Sequence, residues 1–148
     1  MSIVANPSLE TTHLVRDTCL CLHVQRAARA LARRFDDAFR PLGLTNGQFS
    51  LMISLNRPEP PGMEAVASVL AMDRTTLTAA LKPLQRRALL RIKVDPADRR
   101  ARLITLTLKG RRLLARAVPV WKRTHLAVES LLFNRDSNRL RNNLRALT

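Results

Sequence analysis

The sequence predicts a mainly α-helical fold with one two-stranded β-hairpin, and three features of the chain lead there. Apolar residues recur every three or four positions through much of its 148 residues, the period of half-buried helices. That period changes where Leu90, Ile92 and Val94 alternate with Arg91 and Lys93, as in a strand with one buried face. Beyond the charged turn DPADRRA at 95–101, the run 102–107 returns as a second β-rich stretch, which closes a hairpin with a long tip.

Each element has a local cause. A first helix is expected over about 18–42, with Leu20, Val24, Ala27, Leu31, Phe35, Ala38, Phe39 and Leu42 as its apolar stripe and Pro41 and Gly43 closing it. Thr45 and Gln48 have capping-box spacing and Leu44 can staple onto Phe49, so a second helix follows over about 46–55. The proline-rich RPEPPGM is a stiff connection. Residues 63–70, MEAVASVL, are short and helix-prone, and Ala71 and Met72 leave room only for a tight turn. Asp73 is a good N-cap: its carboxylate can accept from the amides of Thr75 and Thr76 at the positive end of the helix dipole, so the next helix starts at Arg74.

In that helix Leu77, Ala80, Leu81 and Leu84 share one face, and Arg74, Thr75, Thr78, Lys82, Gln85 and Arg86 are left for the other. Pro83 removes one helical hydrogen bond and is expected to bend the helix near Ala79. Two closely spaced helices, the second polar and basic, form a helix-turn-helix, and the appended hairpin makes it winged. Thr107 then caps a long helix through Leu108, Leu113, Leu114, Val118 and Trp121 to about 132, kinked at Pro119, and a last helix begins near Asp136 or Ser137 with Leu140, Leu144 and Leu147.

Hydroxyls and guanidinium groups on one helix face suit the base edges and phosphates of a major groove. In the hairpin tip Pro96 fixes one backbone angle, Asp95 and Asp98 can bond neighbouring amides, and Arg99, Arg100 and Arg102 are expected to project together. Arginine on a ribbon can enter a narrow minor groove, where the potential is most negative.

Residues 72–110, MDRTTLTAALKPLQRRALLRIKVDPADRRARLITLTLKG, resemble the core of the MarR (multiple antibiotic resistance regulator) family. The family's wing pattern D-P-x-D-R-R is met by Asp95, Pro96, Asp98, Arg99 and Arg100, and its L-T-x-x-G by Leu106, Thr107 and Gly110. The resemblance implies that Arg100 is the minor-groove arginine of the wing tip. It also implies that Asp73 and Asp98 help hold the wing against the recognition helix, and that Arg74, Thr75, Thr76 and Thr78 face the major groove. Lys82, Arg86, Arg99 and Arg102 complete the expected DNA-binding set. Two positions depart from the pattern: Ala88 stands where the family usually has the glycine that ends the recognition helix, and Pro83 lies inside it.

Composition agrees with a polyanionic partner. Lys and Arg number 26 against 11 Asp and Glu, a formal net charge of +15, and arginine supplies nearly all the excess. Arg16, Arg26, Arg29, Arg33, Arg34 and Arg40 flank the motif upstream, and Arg135, Arg139, Arg141 and Arg145 downstream. Double-stranded DNA is the expected partner. A membrane is not, since arginines interrupt the most apolar helices and no span approaches the ~20 apolar residues needed to cross one. MSIVANPSLETTH does not resemble a signal peptide, and two cysteines are too few for a disulfide framework, so a soluble cytoplasmic protein is expected.

The chain reads as one domain over 1–148, with a winged core at 45–119 between dimerisation helices at 1–44 and 120–148. The apolar stripes of the terminal helices cannot all be covered by the small central module. A homodimer is the expected solution, as the resemblance also implies; it would set two recognition helices one DNA turn, ~34 Å, apart on a pseudo-palindromic operator.

DTCLCLH places Cys19, Cys21 and His23 near the start of the first helix. Two apart on that helix, Cys19 and Cys21 point about 200° from each other, so a disulfide between them is not expected. Resemblance to the organic-hydroperoxide sensors among MarR proteins puts Cys21 at the reactive position, although those sensors hold the thiolate with tyrosines and this chain has none. The alternative is that both thiols are buried packing. Cys19 and His23, four apart, could begin a zinc site with His13 or a partner residue, but two ligands are a weak signal and no metal site is assigned. By resemblance, a small-molecule effector would lie among His23, Arg26, Ala27, Ala30, Phe49, Met52 and Trp121, each of which also reads as ordinary core.

The expected function is a dimeric, sequence-specific transcriptional regulator, a repressor by family habit, responding to a small molecule or to thiol oxidation. A nucleoid protein coating DNA without sequence preference is the alternative, against which the varied polar face of 74–78 speaks. Three histidines, no nucleotide fingerprint and no HExxH leave little for an enzyme to work with, and no cofactor is expected.

Overall fold

The computed structural model describes residues 6–148. The first five residues of the segment read for an export signal lie outside the described residues. The chain divides into two compact units, 1–34 and 35–148.

The first unit contains α1 (Leu9–Thr18) and most of α2 (Leu20–Phe39). The sequence reading has no helix before residue 18, yet Ser8 caps one by accepting from the Thr11 amide at 3.1 Å. At Cys19 the backbone becomes extended (φ −68°, ψ 109°) and the helix restarts at Leu20. Cys19 therefore lies outside both helices, and the helical geometry expected to separate the two thiols does not hold. Leu9, Leu14, Val15, Leu20, Val24 and Leu31 are exposed apolar residues of this unit.

In the second unit a single turn of 3₁₀ helix, Arg40–Leu42, is stopped by Gly43 in the left-handed conformation (φ 65°). The expected capping box opens α3 (Asn46–Ser54): Thr45 Oγ1 accepts from the Gln48 amide at 3.2 Å, and the Thr45 amide donates to Gln48 Oε1 at 3.1 Å. Asp36 joins the same helix start, accepting from the Asn46 amide at 2.7 Å and from Asn46 Nδ2 at 2.8 Å. Those two bonds hold its pKa below the ordinary carboxylate value.

Then follow α4 (Met63–Leu70), α5 (Arg74–Arg86), β1 (Leu90–Val94), β2 (Arg102–Leu106), α6 (Leu108–Glu129) and α7 (Ser137–Arg145). The strands pair antiparallel, with Leu90 opposite Leu106 and Val94 opposite Arg102. Both α5 and α6 continue through their internal prolines, Pro83 and Pro119. Leu51, Met52, Val66, Leu77, Leu81, Leu84, Leu90 and Ile104 are fully buried, so the helix-turn-helix and the base of the hairpin share one core. Among the described residues no helix is long and apolar enough to cross a membrane.

The proline-rich connection does more than link. Pro61 accepts from the Ile104 amide at 3.0 Å, and Gly62 forms an antiparallel bridge to Leu103, adding a third extended edge to the hairpin. Prolines favour that extended backbone in the residues before them. The edge anchors the N-terminus of α4 to the wing.

Candidate nucleic-acid interface

The turn between α4 and α5 is set by backbone bonds. Ala71 takes the left-handed conformation (φ 50°), the Met72 amide donates to Ala67 O at 2.9 Å and the Ala71 amide to Ser68 O at 3.2 Å, a Schellman termination. Two residues later Asp73 caps α5. Its carboxylate accepts from the Thr76 amide at 2.7 Å and the Thr76 hydroxyl at 3.0 Å, which holds its pKa below the usual value. The outer face of α5 carries Arg74, Thr75, Thr76, Thr78, Lys82, Gln85 and Arg86, all exposed, while Leu77, Leu81 and Leu84 are buried on the other.

The three threonines are not equivalent. The Thr76 proton is engaged by Asp73, and Thr78 donates to Arg74 O at 2.8 Å, so toward an external partner both present acceptor lone pairs. Thr75 has no hydroxyl partner among the described residues and can donate as well as accept.

The far end of α5 terminates in the same way. Ala88 occupies the left-handed region (φ 57°), its amide donates to Gln85 O at 2.9 Å and the Leu89 amide to Leu84 O at 3.0 Å. This is the position where the family pattern has glycine, and alanine holds it with strain. Residues of the L-T-x-x-G pattern lock onto this end: the Thr107 hydroxyl donates to Ala88 O at 2.7 Å and accepts from the Gly110 amide at 3.0 Å, and the Thr107 amide donates to Leu89 O at 3.1 Å. Gly110 is glycine because a Cβ there would lie 2.0 Å from Leu89 O.

In the wing tip Asp95 accepts from the Ala97 amide at 2.9 Å, and Asp98 accepts from the Arg100 amide at 3.0 Å. Arg102 departs from expectation. Its Nη1 turns back to Arg99 O at 3.0 Å and Ala101 O at 3.1 Å, so it braces the tip instead of projecting beside Arg99 and Arg100. The expectation that Asp73 and Asp98 hold the wing against α5 is likewise corrected. Each carboxylate is bonded to an amide two or three residues along its own turn, a partner already within reach.

Helix and wing nevertheless meet at one cleft of about 660 Å³, lined by Gly62, Met63, Glu64, Ala67, Arg74, Asp98, Arg100, Ala101 and Arg102. Among the described residues no ion pair involves Arg74, Lys82, Arg86, Arg99 or Arg100. A cationic surface without internal carboxylate partners is available to phosphate.

The residues considered for sensing are placed separately. In the single chain Cys21 is exposed, with Gln25 Nε2 3.1 Å from its Sγ, and Cys19 is half-buried. His23 Nδ1 lies 2.8 Å from Cys19 O on its own helix, and among the described residues no three His, Cys, Asp or Glu side chains gather as metal ligands. Arg26, Ala27 and Ala30 are exposed. Phe49 and Met52 are buried in the core of the second unit, where Phe39, Phe49, Trp121 and His125 form a stack with successive ring centroids 4.7, 6.4 and 4.7 Å apart. His125 is a member of this stack that the sequence analysis above does not single out. Its four-residue spacing from both Trp121 and Glu129 was the available sign, and its Nε2 lies 3.2 Å from Glu129 Oε1.

No family model matches the chain. Among curated proteins it is 38% identical over 79 residues to the transcriptional regulator HosA of Escherichia coli O111:H-, a match covering 52% of this chain and 57% of HosA, so the shared segment is little more than half that relative's length. It is 26% identical over 108 residues to an organic hydroperoxide resistance transcriptional regulator of Bacillus subtilis (strain 168), covering 73% of this chain and 74% of that one. Among solved structures, the M. tuberculosis transcriptional regulator MosR in complex with DNA superposes with a TM-score of 0.80 at 37% identity, covering 88% of this chain and 93% of MosR. A MarR-family regulator from Rhodococcus sp. RHA1 shares the fold, with a TM-score of 0.75 at 21% identity over 96% of each chain. With the recognition helix, the wing and the glycine lock carried on that fold, and more than a third of residues shared across nearly all of a solved relative, the chain belongs to the MarR family of transcriptional regulators.

Proposed function

We propose that this protein is a homodimeric, sequence-specific DNA-binding repressor, acting in the cytoplasm, whose hold on its operator changes with a chemical signal. The observation that carries the reading is that Arg74, at the start of the polar α5 face, and Arg100 of the wing line one cleft, with neither in an ion pair among the described residues. Arg74, Thr75, Thr76 and Thr78 read base edges, Arg100 enters the minor groove, and Lys82, Arg86 and Arg99 meet phosphates. The exposed apolar residues of α1, α2 and α7 support a dimer, which buries them and gives the two-fold spacing a pseudo-palindrome requires.

The signal enters at Cys21. Its sulfur is exposed, and the Gln25 amide beside it can stabilise a thiolate as the tyrosines of hydroperoxide sensors do. The thiolate attacks the terminal oxygen of an organic hydroperoxide, an S–O bond forms as the O–O bond breaks, the alkoxide leaves and takes a proton from water to become the alcohol, and Cys21 becomes a sulfenic acid.

Binding to the intergenic DNA beside its own gene, against a scrambled competitor at physiological salt, tests both levels. Selective binding abolished by cumene hydroperoxide, restored by reductant and retained in Cys21→Ser supports a thiol-switched regulator. Selective binding indifferent to peroxide moves the signal to a pocket ligand. Unselective binding with a steep salt slope makes it a nucleoid protein.

A further inference from the structure

Away from the helix–wing cleft, a second groove of about 490 Å³ opens where the end of α5 meets the start of α6. It is lined by Arg87, Lys109, Arg112 and Arg116 over Leu89, Leu108 and Leu113, with no carboxylate among the lining residues. Lys109, Arg112, Leu113 and Arg116 recur at helical spacing and share one face of α6. None of the four cations forms an ion pair among the described residues. Leu108 is 57% exposed between charged neighbours. We propose that this groove binds a small amphipathic organic anion, its acid group held by Arg112 and Arg116 and its apolar part on the leucines.

Charge alone would suit any phosphate, but the leucine floor favours an anion with a hydrocarbon body. From Leu108 to Arg116 the groove runs ~12 Å along α6, about the reach of a medium-length acyl chain. Its walls also hold the recognition helix in place. Lys109 Nζ donates to Arg87 O at 2.9 Å, and Arg87 Nη1 donates to Gly43 O at 2.7 Å. The negative charge of an anion held by Arg112 and Arg116 competes with these two carbonyls for the neighbouring Lys109 and Arg87, so occupancy loosens the end of α5 and weakens DNA binding. This last step rests on the function proposed above; the binding step does not.

Decanoate is the probe, titrated calorimetrically into the full-length protein. The expected result is saturable binding in the wild type, about tenfold weaker in Arg112→Ala/Arg116→Ala as charge-assisted contacts are lost. Leu108→Ser should weaken it too, and acetate, which has the charge without the chain, should not bind. Unchanged Trp121 fluorescence verifies that both variants are folded. No saturable binding, or equal binding in all three proteins, overturns the proposal. DNA anisotropy with and without decanoate tests the coupling: the wild type should lose operator affinity several-fold and the double variant should not, and an unaffected wild type that binds decanoate refutes the coupling. A protein that fails to select its operator without decanoate refutes the function instead, while the calorimetry still decides the groove.

Discussion

Gly110→Ala isolates the lock between α5, the wing and α6. Helix propensity alone makes the change favourable by about 1 kcal/mol, since Gly110 lies in the first turn of α6. The structure reverses the sign. The added Cβ would lie 2.0 Å from Leu89 O and 3.0 Å from Leu89 C, both backbone atoms. Real Cβ contacts essentially never fall below 3.0 Å, so the two segments must part by about 1 Å (3.0 less 2.0). Such overpacking costs about 1–3 kcal/mol. The same movement strains the Thr107 amide bond to Leu89 O, now 3.1 Å, worth about 1 kcal/mol. Subtracting the propensity gain leaves a net loss of about 1–3 kcal/mol. The assay is urea unfolding at fixed protein concentration, followed by the fluorescence of Trp121, the chain's single tryptophan. A midpoint equal to or above the wild type's would refute the steric reasoning.

The converse exchange, Ala88→Gly, relieves left-handed strain at φ 57° and should stabilise by about 0.5–1 kcal/mol in the same assay, the gain reduced by the added freedom of glycine in the unfolded chain. Arg100→Ala should weaken binding to the specific operator by about 1–3 kcal/mol, whereas Lys82→Ala should weaken all DNA alike and reduce the salt slope by about one, both read by anisotropy across a salt series. Asp36, its pKa lowered by the Asn46 amide and side chain, contributes stability that is present above its unfolded pKa and is lost as pH falls through its folded pKa. Asp36→Asn should therefore lower stability near neutrality and flatten its decline through the acid carboxylate range, as acid titration of the unfolding midpoint will show.

What was legible in the sequence was local. The cap at Asp73, the Thr45–Gln48 box, the Thr107 cap and the change of period at Leu90 each depend on residues three or four apart or on strand alternation, and each appears where its residues stand. The helix over 9–18 escaped because its single cap at Ser8 precedes a stretch with no apolar stripe that becomes buried, and the break at Cys19 carries neither glycine nor proline. The motif at 72–110 identified the site without disclosing how its parts are held. Spacing left open whether Arg102 projects or folds back onto Arg99 O and Ala101 O, and only the tertiary structure decided that Gly62 pairs with Leu103 and that Gly110 must lack a side chain. Periodicity and caps are written in short-range spacing, whereas the bridge of Gly62 to Leu103, or the choice between a tolerated and a forbidden Cβ at 110, depends on backbone atoms brought close from elsewhere in the chain.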